Sequence, residues 1–243
     1  MKVKGILLCG GEGTRLYPLT SVINKHLQRI GRKMMVDYPF EKMIEAGIED
    51  IHVIVGGEHW ASVVKYLGSG RDRGVNVSYS IQDKAGGIAE AIGLAKVFAG
   101  NNKVCVLLGD NIFDLSLRYY IKDFEESKEL SEAWLFSTEA EKPERFGVLI
   151  RDAEGKAVDI IEKPNPAPSK EILVGAYFYT PDVFDIIKTC RPSARGELEV
   201  TDLNRWYIKS GKAQVAKMAG RWTDCGTFET LAIAERMVSE NGG

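Results

Sequence analysis

The chain has 243 residues, of which 44% are hydrophobic and 27% charged, and its formal net charge is −2. This composition is typical of a globular protein with one large core, and it excludes a mainly disordered chain. The near-neutral charge and the absence of a long Lys/Arg run argue against nucleic acid or an anionic membrane as the main partner. Cys9, Cys105, Cys190 and Cys225 show no metal-binding spacing and are expected to be reduced thiols in a cytoplasmic protein.

The first half of the chain alternates predicted strands with predicted helices. Nearly continuous apolar runs at Val3–Cys9, Ile51–Val55 and Val104–Leu108 predict strands that are buried on both faces. Pro39–Ala46 and Ile88–Phe98 predict helices that stop at Gly47 and Gly100. Alternation at this spacing indicates a mostly parallel, twisted sheet with helices on both faces.

The second half continues with shorter predicted elements. Val75, Val77, Tyr79 and Ile81 alternate with polar residues, which predicts a strand with one wetter face that ends at Gln82. Further strands are predicted at Ala133–Thr138, Val148–Ile150, Leu173–Tyr179 and Ala213–Met218, and further helices at Leu117–Lys128, Asp182–Thr189, Val200–Lys209 and from Thr227 to about Met237.

A glycine-rich segment follows the first predicted strand. Gly10, Gly11 and Gly13 lack the Cβ atoms that would keep a polyphosphate away from the backbone, so successive N–H groups can turn toward one anion. Arg15 offers a planar fork to phosphate oxygens, and Lys25 offers a point charge. The segment therefore predicts a phosphate-cradling loop.

Two common glycine loops do not fit this segment. A P-loop requires Lys and then Ser or Thr directly after its last Gly, whereas Gly13 is followed by Thr14, Arg15 and Leu16. A dinucleotide-binding loop requires a third Gly where Leu16 stands and a helix that opens there, but Pro18 follows almost at once.

The segment GGEGTRLYPLT, followed by Lys25, resembles the signature loop of the sugar-phosphate nucleotidyltransferases, and in particular their short-form glucose-1-phosphate thymidylyltransferases. The resemblance runs from Lys4 to about Met237. It includes five further motifs, which are LGDNIF from Leu108, ERFGV from Glu144, EKP from Glu162, RGELEVTDLN from Arg195 and WTDCGT from Trp222. Several motifs in the expected order are far more specific than one loop.

The resemblance implies attack by a sugar 1-phosphate oxygen on the α-phosphorus of dTTP, which gives dTDP-glucose and pyrophosphate. It implies that Arg15 holds the leaving pyrophosphate, Lys25 the α-phosphate and Lys163 the incoming sugar phosphate. Asp110 and Asp224 would hold Mg²⁺, which prefers oxygen ligands and commonly takes one or two carboxylates with phosphates and water. Such a reaction needs positioning and charge neutralisation rather than a protein nucleophile.

The resemblance also assigns residues to the two substrates. Gln82 and Gly87 are expected to hold the pyrimidine, since an amide can donate and accept hydrogen bonds at once. A single Gln or Asp in a loop is ordinarily a solvated side chain, so these assignments depend on the motifs occurring together. The implied nucleotide-binding residues are Gly10, Gly11, Gly13, Thr14, Arg15, Gln82, Gly87 and Asp110, and the implied sugar-binding residues are Gly147, Glu162, Lys163, Leu173 and Tyr177.

Some positions depart from the pattern of the family. Lys25–Arg29 reads KHLQR where most members have Lys-x-Leu-Leu-Pro, and Met34 stands where a Pro is usual. Phe146 replaces a frequent Tyr, Val174 a frequent Thr and Ile161 a frequent Glu. Because two prolines are lost, we expect a less restrained loop around Lys25.

The resemblance implies one α/β domain over residues 1–243, with a nucleotide half at about 1–115 and a sugar half at about 116–243. The expected fold is a Rossmann-like three-layer sandwich around a mostly parallel mixed sheet, of the nucleotide-diphospho-sugar transferase type. Its expected role is in nucleotide-sugar and polysaccharide biosynthesis. Longer members carry a C-terminal helical region for assembly and feedback control, which we expect this chain to lack.

Three alternatives remain open at this point. The chain could transfer UMP from UTP, use another sugar 1-phosphate, or be a catalytically silent ligand-binding homologue. Retention of Arg15, Lys25, Asp110, Lys163 and Asp224 argues against the silent homologue. A homodimer is compatible with the sequence.

Overall fold

The computed structural model describes residues 2–127 and 131–240. The strands in chain order are β1 Val3–Cys9, β2 Arg29–Ile30, β3 Lys33–Met34, β4 Asp50–Gly56, β5 Asn76–Gln82, β6 Lys103–Leu108, β7 Asn111–Phe113, β8 Ala133–Glu139, β9 Gly147–Arg151, β10 Ala157–Glu162, β11 Glu171–Tyr179, β12 Ala213–Lys217 and β13 Trp222–Asp224. The α-helices are α1 Asp37–Glu45, α2 Trp60–Leu67, α3 Ile88–Leu94, α4 Lys96–Ala99, α5 Arg118–Glu126, α6 Val183–Ile187, α7 Val200–Lys209 and α8 Phe228–Glu240.

One large mixed sheet organises the described part of the chain. Its strand order is β10-β9-β11-β6-β1-β4-β5, and β8 pairs with both β11 and β12. Strands β6, β1, β4 and β5 are parallel, whereas β11 runs antiparallel to β6, β8 and β9. The parallel part comes from the first half of the chain, where helical crossovers are long enough to return each strand in the same direction.

The antiparallel part follows from short connections. Only residues 152–156 join β9 to β10, so no crossover helix can form there, and the two strands pair antiparallel with Glu162 opposite Gly147. The predicted α/β fold with a mixed central sheet is confirmed, and its parallel pairings are concentrated in the nucleotide half.

Helices cover both faces of the sheet and produce three layers. Helices α1, α2 and α5 pack on one face, where Phe40, Val63 and Phe124 join the buried Leu7 of β1. Helices α3, α6 and α7 pack on the other face against Ile6 of the same strand. Successive residues of β1 thus enter opposite core layers, as expected for a strand with a continuous apolar sequence.

Several predicted elements differ from the structure in extent. The predicted helix Ile88–Phe98 is interrupted at Ala95, where α3 ends and the short α4 begins. The predicted helix Leu117–Lys128 corresponds to α5, and Lys128 lies outside the described residues. The predictions did not include α2 or β10.

The segment that lacks the usual prolines is held by hydrogen bonds. Arg29 and Met34 are partners in the small β2–β3 hairpin, and the Met35 N–H donates to the Gln28 carbonyl at 2.9 Å. The adjacent His26 is buried, and its N–H and its ring Nδ1 both lie within 3.0 Å of Asn24 Oδ1. In the described ranges, no helix combines the length and apolarity that crossing a bilayer requires.

Candidate active site

A cavity of about 740 Å³ opens at the carboxyl ends of β1, β5 and β6. Parallel strands present their carboxyl ends at one edge of a sheet, which is where ligands bind in such folds. Both halves of the chain line the cavity. All sequence-predicted site residues are among its lining residues, namely Gly10, Gly11, Gly13, Thr14, Arg15, Lys25, Gln82, Gly87, Asp110, Gly147, Glu162, Lys163, Leu173, Tyr177 and Asp224.

The glycine loop begins directly after β1. Gly11 has a φ of 91° and Gly13 a φ of 65°, a backbone region that a residue with Cβ rarely adopts. The Thr20 hydroxyl donates to the Gly13 carbonyl at 3.0 Å, which fixes the turn. The following single turn buries Leu16 and leaves the neighbouring Arg15 exposed at the cavity.

Lys25 and Asp110 form an ion pair in the cavity, with Nζ 2.6 Å from Oδ2. Asn111 Nδ2 donates to the other carboxylate oxygen at 2.9 Å. Burial alone would raise the pKa of Asp110, but the charge of Lys25 and the hydrogen bonds from Lys25 and Asn111 hold it well below its usual value. Asp110 is therefore ionised at neutral pH.

Asp224 reaches the same region through strand pairing. The antiparallel β7–β13 ladder places Asp224 opposite Asn111, and the Cys225 N–H donates to the Asp110 carbonyl at 2.8 Å. Burial and the nearby charge of Asp110 raise the pKa of Asp224, whereas Arg145 and Arg15 oppose this shift.

Arg15 and Asp224 converge above Gly226. A Cβ at Gly226 would lie 2.8 Å from Arg15 Nη2 and 2.8 Å from Asp224 Oδ2. A residue with a Cβ here would therefore displace the Arg15 or the Asp224 side chain. The cation that follows the glycine loop and the carboxylate of the last motif are neighbours.

The predicted sugar side is built from β9, β10 and α7. Glu162, at the end of β10, accepts a hydrogen bond from the Thr201 hydroxyl of α7. Lys163 Nζ lies 3.0 Å from Glu162 Oε1, and the Lys163 backbone has a positive φ of 44°. Gly147 lies opposite Glu162 in the ladder, and a Cβ there would come within 2.9 Å of Thr201 Oγ1.

Strand β11 supplies the wall beside this charged group. Leu173 and Tyr177 are 6% and 4% exposed, so the cavity meets only a small edge of each side chain. Burial, followed by the charges of Glu162 and Asp110, raises the pKa of Tyr177, which keeps its hydroxyl protonated.

Gln82 stands at the end of β5, where the cavity meets the QDKAGG loop. Its Nε2 donates to Glu90 Oε2 at 2.6 Å and to the Gly87 carbonyl at 3.1 Å. The loop is paired with the sugar half, since the Leu198 N–H donates to the Gly86 carbonyl at 2.7 Å.

Sequence reasoning assigned no role to three residues at this site. Arg195 lines the cavity and lies 2.8 Å from Glu199 and 3.4 Å from Glu162. Arg145 Nη2 is buried 3.8 Å from Asp224 Oδ2, and among residues 2–127 and 131–240 it has no hydrogen-bond partner. Both arginines stand inside recognised motifs, which was the available signal, whereas Glu90 has none.

The arrangement fits a divalent cation that is shared with phosphate. Asp110 and Asp224 supply two carboxylates, and within residues 2–127 and 131–240 no cluster of three or more His, Cys, Asp or Glu side chains could hold a metal by itself. Such a donor set suits Mg²⁺, which takes its remaining oxygen ligands from phosphate and water.

Comparison with known proteins agrees with this architecture. A glucose-1-phosphate thymidylyltransferase of Neisseria meningitidis serogroup A is 41% identical over 240 residues, which cover 97% of this chain and 82% of that protein. A structure assigned as a glucose-1-phosphate thymidylyltransferase of Bacillus anthracis, in complex with sucrose, is 45% identical with a TM-score of 0.91, covering 97% of this chain and 94% of the other. A UDP-glucose pyrophosphorylase in complex with UDP-glucose has a TM-score of 0.86 at 26% identity, covering 99% and 100% of the two chains.

The three-layer fold and its cleft are therefore those of the nucleotide-diphospho-sugar transferases. The chain belongs to the nucleotidyl transferase family, whose profile matches residues 4–241, and it is a nucleotidyltransferase enzyme. Members of this family generally use a divalent metal. The resemblance found in the sequence is confirmed, and the alternative of a catalytically silent homologue is not supported.

Proposed function

We propose that this enzyme joins dTTP and glucose 1-phosphate to give dTDP-glucose and pyrophosphate. An oxygen of the sugar phosphate attacks the α-phosphorus, and the bond from that phosphorus to the oxygen that bridges it to the β-phosphate breaks. The relatives named glucose-1-phosphate thymidylyltransferase support this choice, with 41% and 39% identity in Neisseria meningitidis and Mycolicibacterium smegmatis.

The proposal rests on the observation that cationic side chains from both halves of the chain line one cavity. Arg15 and Lys25 come from the nucleotide half, and Lys163 and Arg195 come from the sugar half. Two phosphorylated substrates bring several negative charges to one place, so a site for their reaction needs cations on both sides. A volume of about 740 Å³ lies within the range of small-molecule sites.

The roles we assign follow from position along the chain and from charge. Arg15 binds the leaving pyrophosphate, Lys25 the α-phosphate and Lys163 the sugar phosphate. Asp110 and Asp224 would hold Mg²⁺, which when bound neutralises phosphate charge in the transition state. Lys25 Nζ lies 2.6 Å from Asp110 Oδ2, which supports assigning both residues to the same part of the cavity.

The sugar and the base occupy separate parts of the cavity in this proposal. Glu162 accepts hydrogen bonds from sugar hydroxyls, Gly147 allows the sugar to approach the backbone, and Leu173 and Tyr177 form the wall. Gln82 and Gly87 hold the pyrimidine at the end of β5. The glycine loop, with Gly10, Gly11, Gly13 and Thr14, lies along the triphosphate.

A pyrophosphate-release assay tests the reaction. We expect release that needs both dTTP and glucose 1-phosphate, with dTTP or UTP used at least about tenfold better than ATP or GTP, because a purine is too large for a one-ring site. Galactose 1-phosphate and N-acetylglucosamine 1-phosphate test the sugar. Equal use of purine triphosphates, or release without any sugar phosphate, would refute the proposal.

UTP is the competing nucleotide because of the structural neighbour that binds UDP-glucose. Parallel assays with dTTP and UTP decide between thymidylyl and uridylyl transfer, since the two bases differ only by a methyl group. Higher kcat/KM with UTP would change the nucleotide and leave the site assignment standing.

We place the reaction in the cytoplasm, because the four cysteines are free thiols, as is usual in a reducing compartment. Formation of a homodimer stays a prediction.

A further inference from the structure

The amide of Gln82 has both of its hydrogens engaged within the protein. Nε2 lies 2.6 Å from Glu90 Oε2 and 3.1 Å from the Gly87 carbonyl oxygen. Both partners are acceptors only, and a primary amide has two N–H donors. Both N–H donors of the Gln82 amide are therefore already engaged within the protein.

The same two partners fix which way the amide points. A reversed amide would bring Oε1 to 2.6 Å from a carboxylate oxygen and against a carbonyl oxygen, with no proton between them. Such a contact is repulsive in a partly buried site, and it leaves acceptors unsatisfied. Gln82 consequently presents Oε1, an acceptor, to the cavity.

The position of Gly10 shows where Oε1 points. A Cβ built on Gly10 would lie 3.0 Å from Gln82 Oε1, so this oxygen faces the start of the glycine loop. Gly10 and Gln82 both line the cavity, whereas Glu90 is not among its lining residues. Glu90 therefore lies behind Gln82, outside the lining of the cavity.

Glu90 is held in place by a close approach to the backbone. It lies in the first turn of α3, and a Cβ at Gly86 would come within 2.0 Å of Glu90 Oε2. Gly86 has no positive φ, so its conformation does not require glycine. The space of its missing Cβ is instead filled by the carboxylate.

We infer that Glu90 is a positioning residue. By orienting the amide of Gln82, it makes the base site bind a base whose N3 carries a hydrogen and reject a base whose N3 carries only a lone pair. Uracil and thymine present N3–H, which can donate to Gln82 Oε1. Cytosine presents an unprotonated N3, which would face that oxygen lone pair to lone pair. The sequence predicted that Gln82 donates and accepts at once, whereas this geometry makes it an acceptor only.

The inference rests on the proposed pyrimidine site and deepens it. UTP and CTP form a matched pair, because they share ribose and triphosphate and differ only at the base edge. Sites built around one hydrogen bond commonly reject a ligand that cannot form it by factors of about 100 or more. We therefore expect wild type to favour UTP over CTP by about 100-fold.

Binding and turnover measured in parallel separate this inference from the proposed reaction. Calorimetry gives Kd for UTP and CTP, and pyrophosphate release gives kcat/KM. We expect Glu90→Ala to reduce the UTP/CTP ratio about tenfold or more in both measurements, with kcat at saturating UTP changed less than about threefold. Glu90→Gln retains an acceptor for Nε2 and should restore most of the ratio.

Three further variants test whether the role of Glu90 is merely structural. Gly86→Ala leaves the carboxylate in the chain but expels it from its place, and should lower the ratio as Glu90→Ala does. Gly93→Ala, in the same helix, is the matched control, because a Cβ there would lie at an ordinary contact distance of 3.6 Å from Ile187 Cγ2. In a Gln82→Met background, Glu90→Ala should have no additional effect on the ratio.

The possible outcomes are distinct. An unchanged ratio in Glu90→Ala, or a wild type that does not discriminate between UTP and CTP, overturns the inference and leaves nucleotidyl transfer standing. A wild type that binds UTP over CTP in an E90-dependent way but releases no pyrophosphate supports the role of Glu90 and refutes the proposed reaction.

Discussion

Lys25 Nζ lies 2.6 Å from Asp110 Oδ2, and these two side chains are only 15% and 16% exposed. The pair joins the segment after the glycine loop to the carboxyl end of β6, 85 residues away in the sequence. Substituting one partner of a buried ion pair lowers the stability of the fold, because the remaining charge is left buried without a partner. If Lys25 and Asp110 have the roles proposed above, activity and stability therefore both depend on this pair.

Lys25→Met should lower both activity and stability. We expect kcat to fall by about 100-fold or more, because a cation aimed at the α-phosphate is lost. The free energy of unfolding should fall by about 3 kcal/mol, since Asp110 is left as an unpaired, mostly buried carboxylate. Urea unfolding without metal and steady-state kinetics measure the two effects.

The double variant Lys25→Met/Asp110→Asn separates the two effects. Removing the orphaned charge should recover most of the lost stability while activity stays low. Activity should stay low because the double variant lacks both the Lys25 cation and a proposed metal ligand, and recovery of activity together with stability would mean that both residues serve the fold only. An unchanged stability in the single variant would mean that water already compensates Asp110.

Asp224→Asn tests the proposed metal site. The substitution keeps the shape of the side chain but removes one of two carboxylates available to Mg²⁺, so activity should fall by about 100-fold or more. Binding of dTTP without Mg²⁺ should change little, because Gly10, Gly11 and Arg15 are untouched. Calorimetry with and without Mg²⁺ measures this directly.

Asp114→Asn is the control for removing a nearby surface carboxylate, since Asp114 is bonded to Arg221 and does not line the cavity. It should leave both the Mg²⁺ dependence and the turnover near wild type. Equal Mg²⁺ enhancement of dTTP binding in wild type and Asp224→Asn would place the metal elsewhere.

The strands of the nucleotide half were predictable because their apolar sequences alone indicate strands that are buried on both faces. Val3–Cys9 is apolar at nearly every position and is buried on both faces, so it has one interpretation. Strand β10 was missed because only Ile160 along it is well buried, while Val158 and Ile161 are exposed at 38% and 36%. A strand at the rim of a sheet gives little hydrophobic pattern to detect.

The site was predictable residue by residue, but its connections were not. Asp110 and Asp224 meet because β7 pairs with β13, a contact between segments more than one hundred residues apart that no local pattern encodes. The partner of Gln82 is equally hidden, because Glu90 belongs to no motif. Thr201, the partner of Glu162, lies inside the RGELEVTDLN motif, but the motif does not show which residue it contacts. Sequence reasoning thus names the groups that touch ligand more readily than those that orient them.

Gly57→Ala should weaken nucleotide binding although Gly57 lies outside the glycine loop. A Cβ at Gly57 would lie 2.9 Å from the Gly11 carbonyl oxygen, so the loop would have to shift. We expect KM for dTTP to rise about tenfold, because successive N–H groups of the loop would no longer point at one phosphate. Initial-rate kinetics at varied dTTP measure the change.

Gly211→Ala is the matched control for backbone strain. Gly57 and Gly211 both have a φ of 72°, and a Cβ at Gly211 would meet no atom of the described residues within 4 Å. Both variants should lose about 1 kcal/mol of stability from the strained backbone. Only Gly57→Ala should alter KM, and the same KM in both variants would mean that the glycine loop does not depend on Gly57.

The last prediction concerns the pH dependence of the contact between α7 and β10. Arg205 donates to both Asp159 oxygens, at 2.7 and 2.9 Å, and thereby joins the helix that carries Thr201 to the strand that ends at Glu162. The hydrogen bond from Arg205 lowers the pKa of Asp159 from 3.8 to about 2 despite partial burial. Lys209, 3.3 Å from the same carboxylate, adds to the pair.

A lowered pKa means that the folded state binds this proton less readily than the unfolded state. The resulting stability is fully present above pH 4 and is lost as the pH falls toward 2. Because the pair is partly exposed and Lys209 remains, Arg205→Met should cost only about 0.5 to 1 kcal/mol at pH 7. The difference from wild type should shrink below pH 4. Urea unfolding from pH 7 to pH 3 measures this difference in the free energy of unfolding. As a control, Asp159→Asn/Arg205→Met should be no less stable than Asp159→Asn alone. A difference that stays constant down to pH 3 would mean that Arg205 stabilises through packing of its side-chain stem.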